Sequence, residues 1–186
     1  MRALGSLSDL LFALLQRVGC GVVNFGSKTY TFGGDQDGAV TGEVHLRAVT
    51  GNSITWTDLT LIVEGQQPNP RQNMGFAAVH SDDSTERILM FGGIGSSGSA
   101  PMNDLWQLDT RNLMWTQLNY TGTPSARHSH GFISISVGKI LLYGGQDVSG
   151  YASSDLLVLD IAAQAWTSLA AAGRHTTGTG INVTHV

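Results

Sequence analysis

The hydrophobic positions of this chain fall into short runs that break on glycine. Three runs end in a glycine doublet: Tyr30-Thr31-Phe32-Gly33-Gly34, Leu89-Met90-Phe91-Gly92-Gly93 and Leu142-Tyr143-Gly144-Gly145. Counted from the second glycine, Trp56 and Trp115 lie 22 residues on and Trp166 lies 21 on. Each tryptophan opens a related tetrapeptide, Trp56-Thr57-Asp58-Leu59, Trp115-Thr116-Gln117-Leu118 and Trp166-Thr167-Ser168-Leu169. Two landmarks recurring three times at one spacing define an internal repeat. Short apolar strands separated by turn residues predict one antiparallel sheet per repeat.

A third landmark lies between these two. Asp104-Leu105-Trp106-Gln107-Leu108-Asp109 matches Asp155-Leu156-Leu157-Val158-Leu159-Asp160, each ending six residues before its tryptophan. The same register places residues 45–50, His45-Leu46-Arg47-Ala48-Val49-Thr50, in the first unit, where the pattern has decayed. Alternation is weak in this strand, as expected of a middle strand with both faces buried. A fourth landmark is an arginine followed four residues later by glycine: Arg17 to Gly21, Arg71 to Gly75, Arg127 to Gly131 and Arg174 to Gly178. Each unit thus reads arginine strand, doublet strand, Asp-Leu strand, tryptophan strand. Residues 17–186 form the repeat domain, with units starting near Arg17, Arg71 and Arg127 and one strand of a fourth starting at Arg174. Residues 1–16 are an N-terminal segment outside the repeat.

With its Gly-Gly, Asp-Leu strand, spaced Trp and Pro124-Ser125-Ala126-Arg127-His128-Ser129-His130 stretch, the chain resembles kelch repeats from residue 17 to about residue 183. The resemblance implies an all-β fold of four-stranded antiparallel blades in a β-propeller, here an incomplete ring of about three to four blades. The doublet lets the chain leave its strand through backbone angles closed to residues with a Cβ. The tryptophan acts as an apolar wedge between successive blades. Residues 80–87 read as a polar hairpin loop, and 95–99 as a flexible one.

Six histidines raise the question of a metal, since His128 and His130 share one strand face. The repeat places His130 in the slot of Cys20, Met74 and Thr177, which marks packing rather than ligation. The same register separates Cys20 from His130 as a nucleophile pair. Galactose oxidase-like kelch propellers carry copper with tyrosine, histidine and a cysteine cross-link, and no such set can be placed here. The Glu-x3-Asp-x3-His iron string of plant specifier proteins is absent, as are Gly-x-Ser-x-Gly, Walker and His-Glu-x-x-His motifs. No catalytic residue, cofactor or metal is expected. Arg71, Arg127 and Arg174 are expected to bond neighbouring backbone at the start of each blade.

In kelch proteins that hold a partner, contacts come from the segments just after the doublet and just after the arginine, on one rim. Carried over, that rim is Asp35, Gln36, Asp37, Ile94, Gly95, Ser96, Gln146 and Asp147, with Gln72, Asn73, His128, Ser129 and His175. The expected function is a non-catalytic scaffold for protein–protein interaction. The alternative is a fragment of a galactose oxidase-like or carbohydrate-active propeller whose catalytic residues lie outside this chain.

Composition supports these readings and narrows the partner. At 41% hydrophobic and 13% charged, the 186 residues are globular, and 24 glycines suit a turn-rich β chain. A net charge of −4 offers no basic stripe for nucleic acid. One cysteine, Cys20, makes no internal disulfide. No apolar run approaches a membrane span. The apolar core at residues 10–15 is shorter than a secretory signal, and a cytoplasmic location is favoured slightly over a secreted one. An arc of three and a quarter blades leaves apolar faces at its ends. Three explanations compete: a fragment of a longer kelch protein, a ring completed by self-association, or a cover supplied by residues 1–16 as a short helix capped by Ser8.

Overall fold

In the computed structural model of this chain, residues 17–80, 86–96, 99–151 and 153–169 are described. Among them the regular structure is all strand. The first sheet runs β1 (Gly21–Phe25), β2 (Lys28–Phe32), β5 (Val44–Thr50) and β6 (Ser53–Asp58), with β3 (Asp35–Gln36) and β4 (Ala39–Val40) as a separate small hairpin. After β7 (Glu64–Gly65), the second sheet follows as β8 (Gly75–His80), β9 (Glu86–Phe91), β10 (Leu105–Asp109) and β11 (Met114–Leu118). The third is β12 (Gly131–Ser136), β13 (Lys139–Tyr143), β14 (Leu156–Asp160) and β15 (Ala165–Ser168). The strands named by arginine, doublet, Asp-Leu and tryptophan thus occur in that spatial order in all three.

The first strands lie innermost, β1 beside β8 and β8 beside β12. Each sheet stacks on the next, and the described strands do not close a ring. Pairing across a sheet assigns alternate side chains to its two neighbours. Ile88, Met90, Trp106 and Leu108 join Phe25, Tyr30 and Phe32 in one core between the first and second sheets. Leu89, Phe91 and Leu105 join Ile140, Leu142 and Leu159 in a second core between the second and third. Residues Ile88 to Phe91 are therefore all fully buried, which is why their run is continuously apolar. The tryptophans wedge these layers apart, Trp115 with its ring 5.3 Å from that of Phe32 and Trp166 5.1 Å from Phe91.

The doublets show why two glycines are needed. Gly92 and Gly93 have φ of 63° and 96°. A Cβ on Gly92 would lie 2.5 Å from the Arg127 carbonyl oxygen, and one on Gly93 would lie 2.8 Å from Met74 Cβ. The first glycine admits the next sheet's backbone, and the second admits a side chain of its own sheet.

One expected register is corrected. In the first unit residues 45–50 are not the equivalent of residues 104–109. Trp56 pairs with Arg47, whereas Trp115 pairs with Leu108 and Trp166 with Leu159. The first hairpin closes through two residues, Gly51 and Asn52, because Thr50 faces Ser53; Asp109 and Asp160 face Met114 and Ala165 across longer turns. Counting back from the tryptophan therefore slips by two, and Glu43 takes the position of Asp104.

No repeat or periodicity announces a further feature, a stitch between sheets. The short β7 leaves the first sheet and pairs in parallel with the outermost strand of the second, Glu64 with Met114 and Gly65 with Trp115. Thr121 bridges Ala165 in the same way at the third sheet. Each linker covers an outer edge that would otherwise expose unpaired backbone. The segment 1–16 and the strand beginning at Arg174 lie outside the described residues.

Candidate binding rim

The rim is built upward from a buried arginine. Arg71 is fully buried; its guanidinium donates to the Gly92 carbonyl at 3.0 Å and to both Asp104 oxygens at 2.5 and 2.8 Å, with Nε on the Asn69 carbonyl at 3.0 Å. Arg127 repeats this with the Gly144 carbonyl at 3.0 Å and Asp155 at 2.9 Å. Arg17 reaches Glu43 and the Gly33 carbonyl, so the corrected register supplies the acidic partner in the first sheet too. Burial raises the Asp104 pKa, but hydrogen bonding and charge from Arg71, with Trp106 Nε1, outweigh it and hold the carboxyl below its ordinary range. These arginines fix the chain at the point where each rim segment begins.

One residue beyond each arginine, an antiparallel bridge joins the two segments expected to form the rim. Val18 exchanges hydrogen bonds with Asp35, both 2.9 Å; Gln72 with Ile94, 2.8 and 2.9 Å; and His128 with Gln146, 3.0 and 2.9 Å. The sheets are linked in turn, because Asn73 N–H donates to Gly19 O and Ser129 N–H to Asn73 O, both at 2.8 Å. Gly19, Asn73 and Ser129 share a left-handed backbone, with φ of 70°, 54° and 53°. Asp35, Gln36, Asp37, Gln72, Asn73, Ser96, His128, Ser129, Gln146 and Asp147 are thereby brought onto one edge of the stack. All are exposed or half-buried. His175 lies outside the described residues.

Two loops shape this edge. The Asp35 carboxylate accepts from Gly38 N–H at 2.8 Å, closing the β3–β4 hairpin. Asp147 accepts from Ser149 and Tyr151 N–H, at 2.8 and 3.2 Å, closing a turn over residues 147–151. That turn carries two apolar side chains that the repeat register does not assign to the rim: Val148 and Tyr151 are 78% and 77% exposed. The expected segment ends at Asp147, and the signal for them is the Val-Ser-Gly-Tyr stretch immediately after it.

His130 is not beside His128 as a ligand partner. Its ring packs edge-on to Phe91 and Phe132, at 5.6 and 6.1 Å between centroids, and both ring nitrogens are buried without a hydrogen-bond partner. Burial, then the charges of Arg127 and His128, lower its pKa to about 4. Among the described residues no three His, Cys, Asp or Glu side chains gather as a metal site would require. His130 is thus neutral in the fold and protonated in the unfolded chain near its ordinary value. Its contribution is present at neutral pH and is lost as pH falls from about 6.5 towards 4, by up to about 3 kcal/mol. His130→Met, matching the equivalent Met74, should flatten that part of a urea stability-versus-pH curve.

The comparisons with known proteins agree with this architecture. The family description "KLHDC2/KLHL20/DRC7 Kelch-repeats domain" matches residues 13–184. Acyl-CoA-binding domain-containing protein 4 of Arabidopsis thaliana is 28% identical over 151 residues, 78% of this chain and 22% of that protein. Tip elongation aberrant protein 1 of Schizosaccharomyces pombe is 31% identical over 69% of the chain and 11% of its own length. Adagio-like protein 3 of Oryza sativa subsp. japonica is 27% identical over 73% of the chain and 22% of its own length. The chain therefore spans about a fifth or less of these relatives. With three sheets that each carry four consecutive antiparallel strands, repeated arginine clamps and a family match over most of its length, the chain belongs to the kelch-repeat family.

Proposed function

We propose that this chain is a non-catalytic scaffold that binds a protein partner through the rim carrying Asp35, Gln36, Asp37, Gln72, Asn73, Ser96, His128, Ser129, Gln146, Asp147 and His175. Kelch-repeat domains generally serve as protein-interaction scaffolds. The observation that carries the reading is the repeated bridge, which sets both rim segments of each sheet on rigid backbone while leaving their side chains at the surface. Preorganised loops lose little freedom on binding. Tyr151 and Val148 supply apolar anchors beside the Asp147 carboxylate, and tyrosines are typical centres of binding energy.

The partner captured by the full chain is the reagent for the test. Tyr151→Ala with Val148→Ser should weaken its binding at least about tenfold, equivalent to roughly 1.4 kcal/mol. The melting temperature should move by no more than about 2 °C, since neither side chain is packed. Unchanged affinity for that pair and for Asp35→Arg/Asp147→Arg would place binding elsewhere. Stoichiometric copper or iron in the purified chain would contradict the non-catalytic part of the reading.

A further inference from the structure

Among the described residues, two of the three sheets have a stitched outer edge. At the second sheet Glu64 N–H donates to the Leu113 carbonyl at 2.7 Å. At the third, Thr121 N–H donates to the Gln164 carbonyl at 3.1 Å, and the Thr121 carbonyl accepts from Trp166 N–H at 2.9 Å. Each stitch thus engages the residue two before a tryptophan and reaches the tryptophan itself. In the first sheet these positions are Ile54 and Trp56, and among the described residues no strand or bridge pairs with the outer side of β6.

The backbone of β6 is set to receive such a pairing. Val49 N–H donates to the Ser27 carbonyl at 3.0 Å and Leu59 N–H to the Val44 carbonyl at 2.8 Å, which turns the even-numbered positions of β5 towards β6. Their partners Ser53, Thr55 and Thr57 are thereby used, and alternation points the amides and carbonyls of Ile54, Trp56 and Asp58 outward. The register is unbroken from Ser53 to Asp58, and the strand holds no bulge, proline or lysine, the devices that blunt an edge. Ser53, Ile54, Thr55 and Thr57 are exposed. Leu113 and Gln164 take φ of 51° and 53° at their turns, whereas Ile54 lies inside β6, so this edge continues past the point where the other two turn away.

The two stitches also show what fits. Each is an apolar residue, a polar one and a glycine: Val63-Glu64-Gly65 and Tyr120-Thr121-Gly122. Val63 is buried in the layer between the first and second sheets, and Tyr120 packs on the layer between the second and third. The glycines have φ of 85° and 71°. A Cβ on Gly65 would overlap the Trp115 carbonyl oxygen, and one on Gly122 would lie 2.7 Å from that of Trp166. On β6 the exposed Ile54 is the apolar side chain available to the first residue of such a triplet.

We propose that the outer edge of β6 binds an extended segment of a partner protein, added parallel to β6 and carrying an apolar–polar–glycine triplet whose glycine lies against Trp56. Hydrogen bonds to the Ile54 carbonyl and from the Trp56 amide supply the attraction, and the crowded tryptophan carbonyl makes the glycine a requirement. The edge is separate from the rim, and its occupancy does not depend on what the rim binds.

The probe is a peptide with the sequence of residues 117–124 and photoreactive benzoylphenylalanine in place of Tyr120, irradiated with the full chain. After tryptic digestion the expected capture is in the peptide 48–71, which contains β6. Gly122→Ala in the probe, or N-methylation of its Thr121, should lower that yield at least about tenfold, and neither change touches the fold of the protein. Capture in peptides 112–127 or 140–174, which hold the stitched β11 and β15, would overturn the proposal, as would equal capture by the altered probes or no capture at all. Amide exchange of the free chain gives a second reading. Trp56 N–H should exchange at least about a hundredfold faster than Trp166 N–H, which the Thr121 carbonyl holds. Comparable protection of the two amides would mean that the edge is already paired, and would equally overturn it.

Discussion

Replacing Arg71 by alanine should cost about 3–5 kcal/mol of unfolding free energy, because it removes one partner of a buried pair. Asp104, already held below its ordinary pKa by this guanidinium, would be left with Trp106 Nε1 at 2.6 Å, and the Gly92 carbonyl would lose its donor. Against a total stability of about 5–15 kcal/mol, that loss brings the domain close to unfolding. Arg71→Lys should recover only part of it, since an ammonium cannot bridge both carboxylate oxygens. The repeat supplies an internal control. Arg127 makes one contact to an Asp155 side chain that is 54% exposed, so Arg127→Ala should cost less, about 2 kcal/mol. Urea unfolding of the three variants checks both the size and the order.

Trp115→Ala should be comparably damaging, at about 3–5 kcal/mol. The indole is 1% exposed and fills the layer between the first and second sheets against Phe32, so its removal opens a cavity that neither sheet can collapse into. Trp56 holds the same place in the tryptophan strand of the first sheet, yet it is only half-buried and lies on the outer face. Trp56→Ala should therefore cost less than half as much. Equal losses for the two would mean that the tryptophans stabilise their own sheets rather than the layers between them.

The parts of this molecule that were legible in its sequence are those where one physical requirement recurs in every blade. A close backbone approach demands the doublet, a wide inter-sheet layer demands the tryptophan, and a buried turn demands the arginine. Three copies of each requirement at one spacing are enough to order the strands from the residues alone. What escaped was local variation. The two-residue turn at Gly51 and Asn52 shortened one hairpin and hid Glu43 as the partner of Arg17. Two-residue strands such as Glu64–Gly65 have no periodicity to detect. On the rim, the backbone positions of Asp35, Gln72, His128 and Gln146 could be expected from the repeat, because their bridges are part of the scaffold. Val148 and Tyr151 could not, because they sit on a turn closed by Asp147 that, among the described residues, no other blade repeats. The polar outer face of the first sheet was visible only as decay of the pattern, and pairing of Thr31 with His45 gave that decay a location.

Hydrogen–deuterium exchange of the full chain, alone and bound to its captured partner, tests the rim most directly. The predicted result is new protection in the segments around 35–38, 72–73, 94–96, 128–129 and 146–151, with the outermost strands β6, β11 and β15 unchanged. Protection confined to those outer strands, or to the exposed face of the third sheet around Ile133 and Tyr143, would contradict a scaffold that binds through its rim.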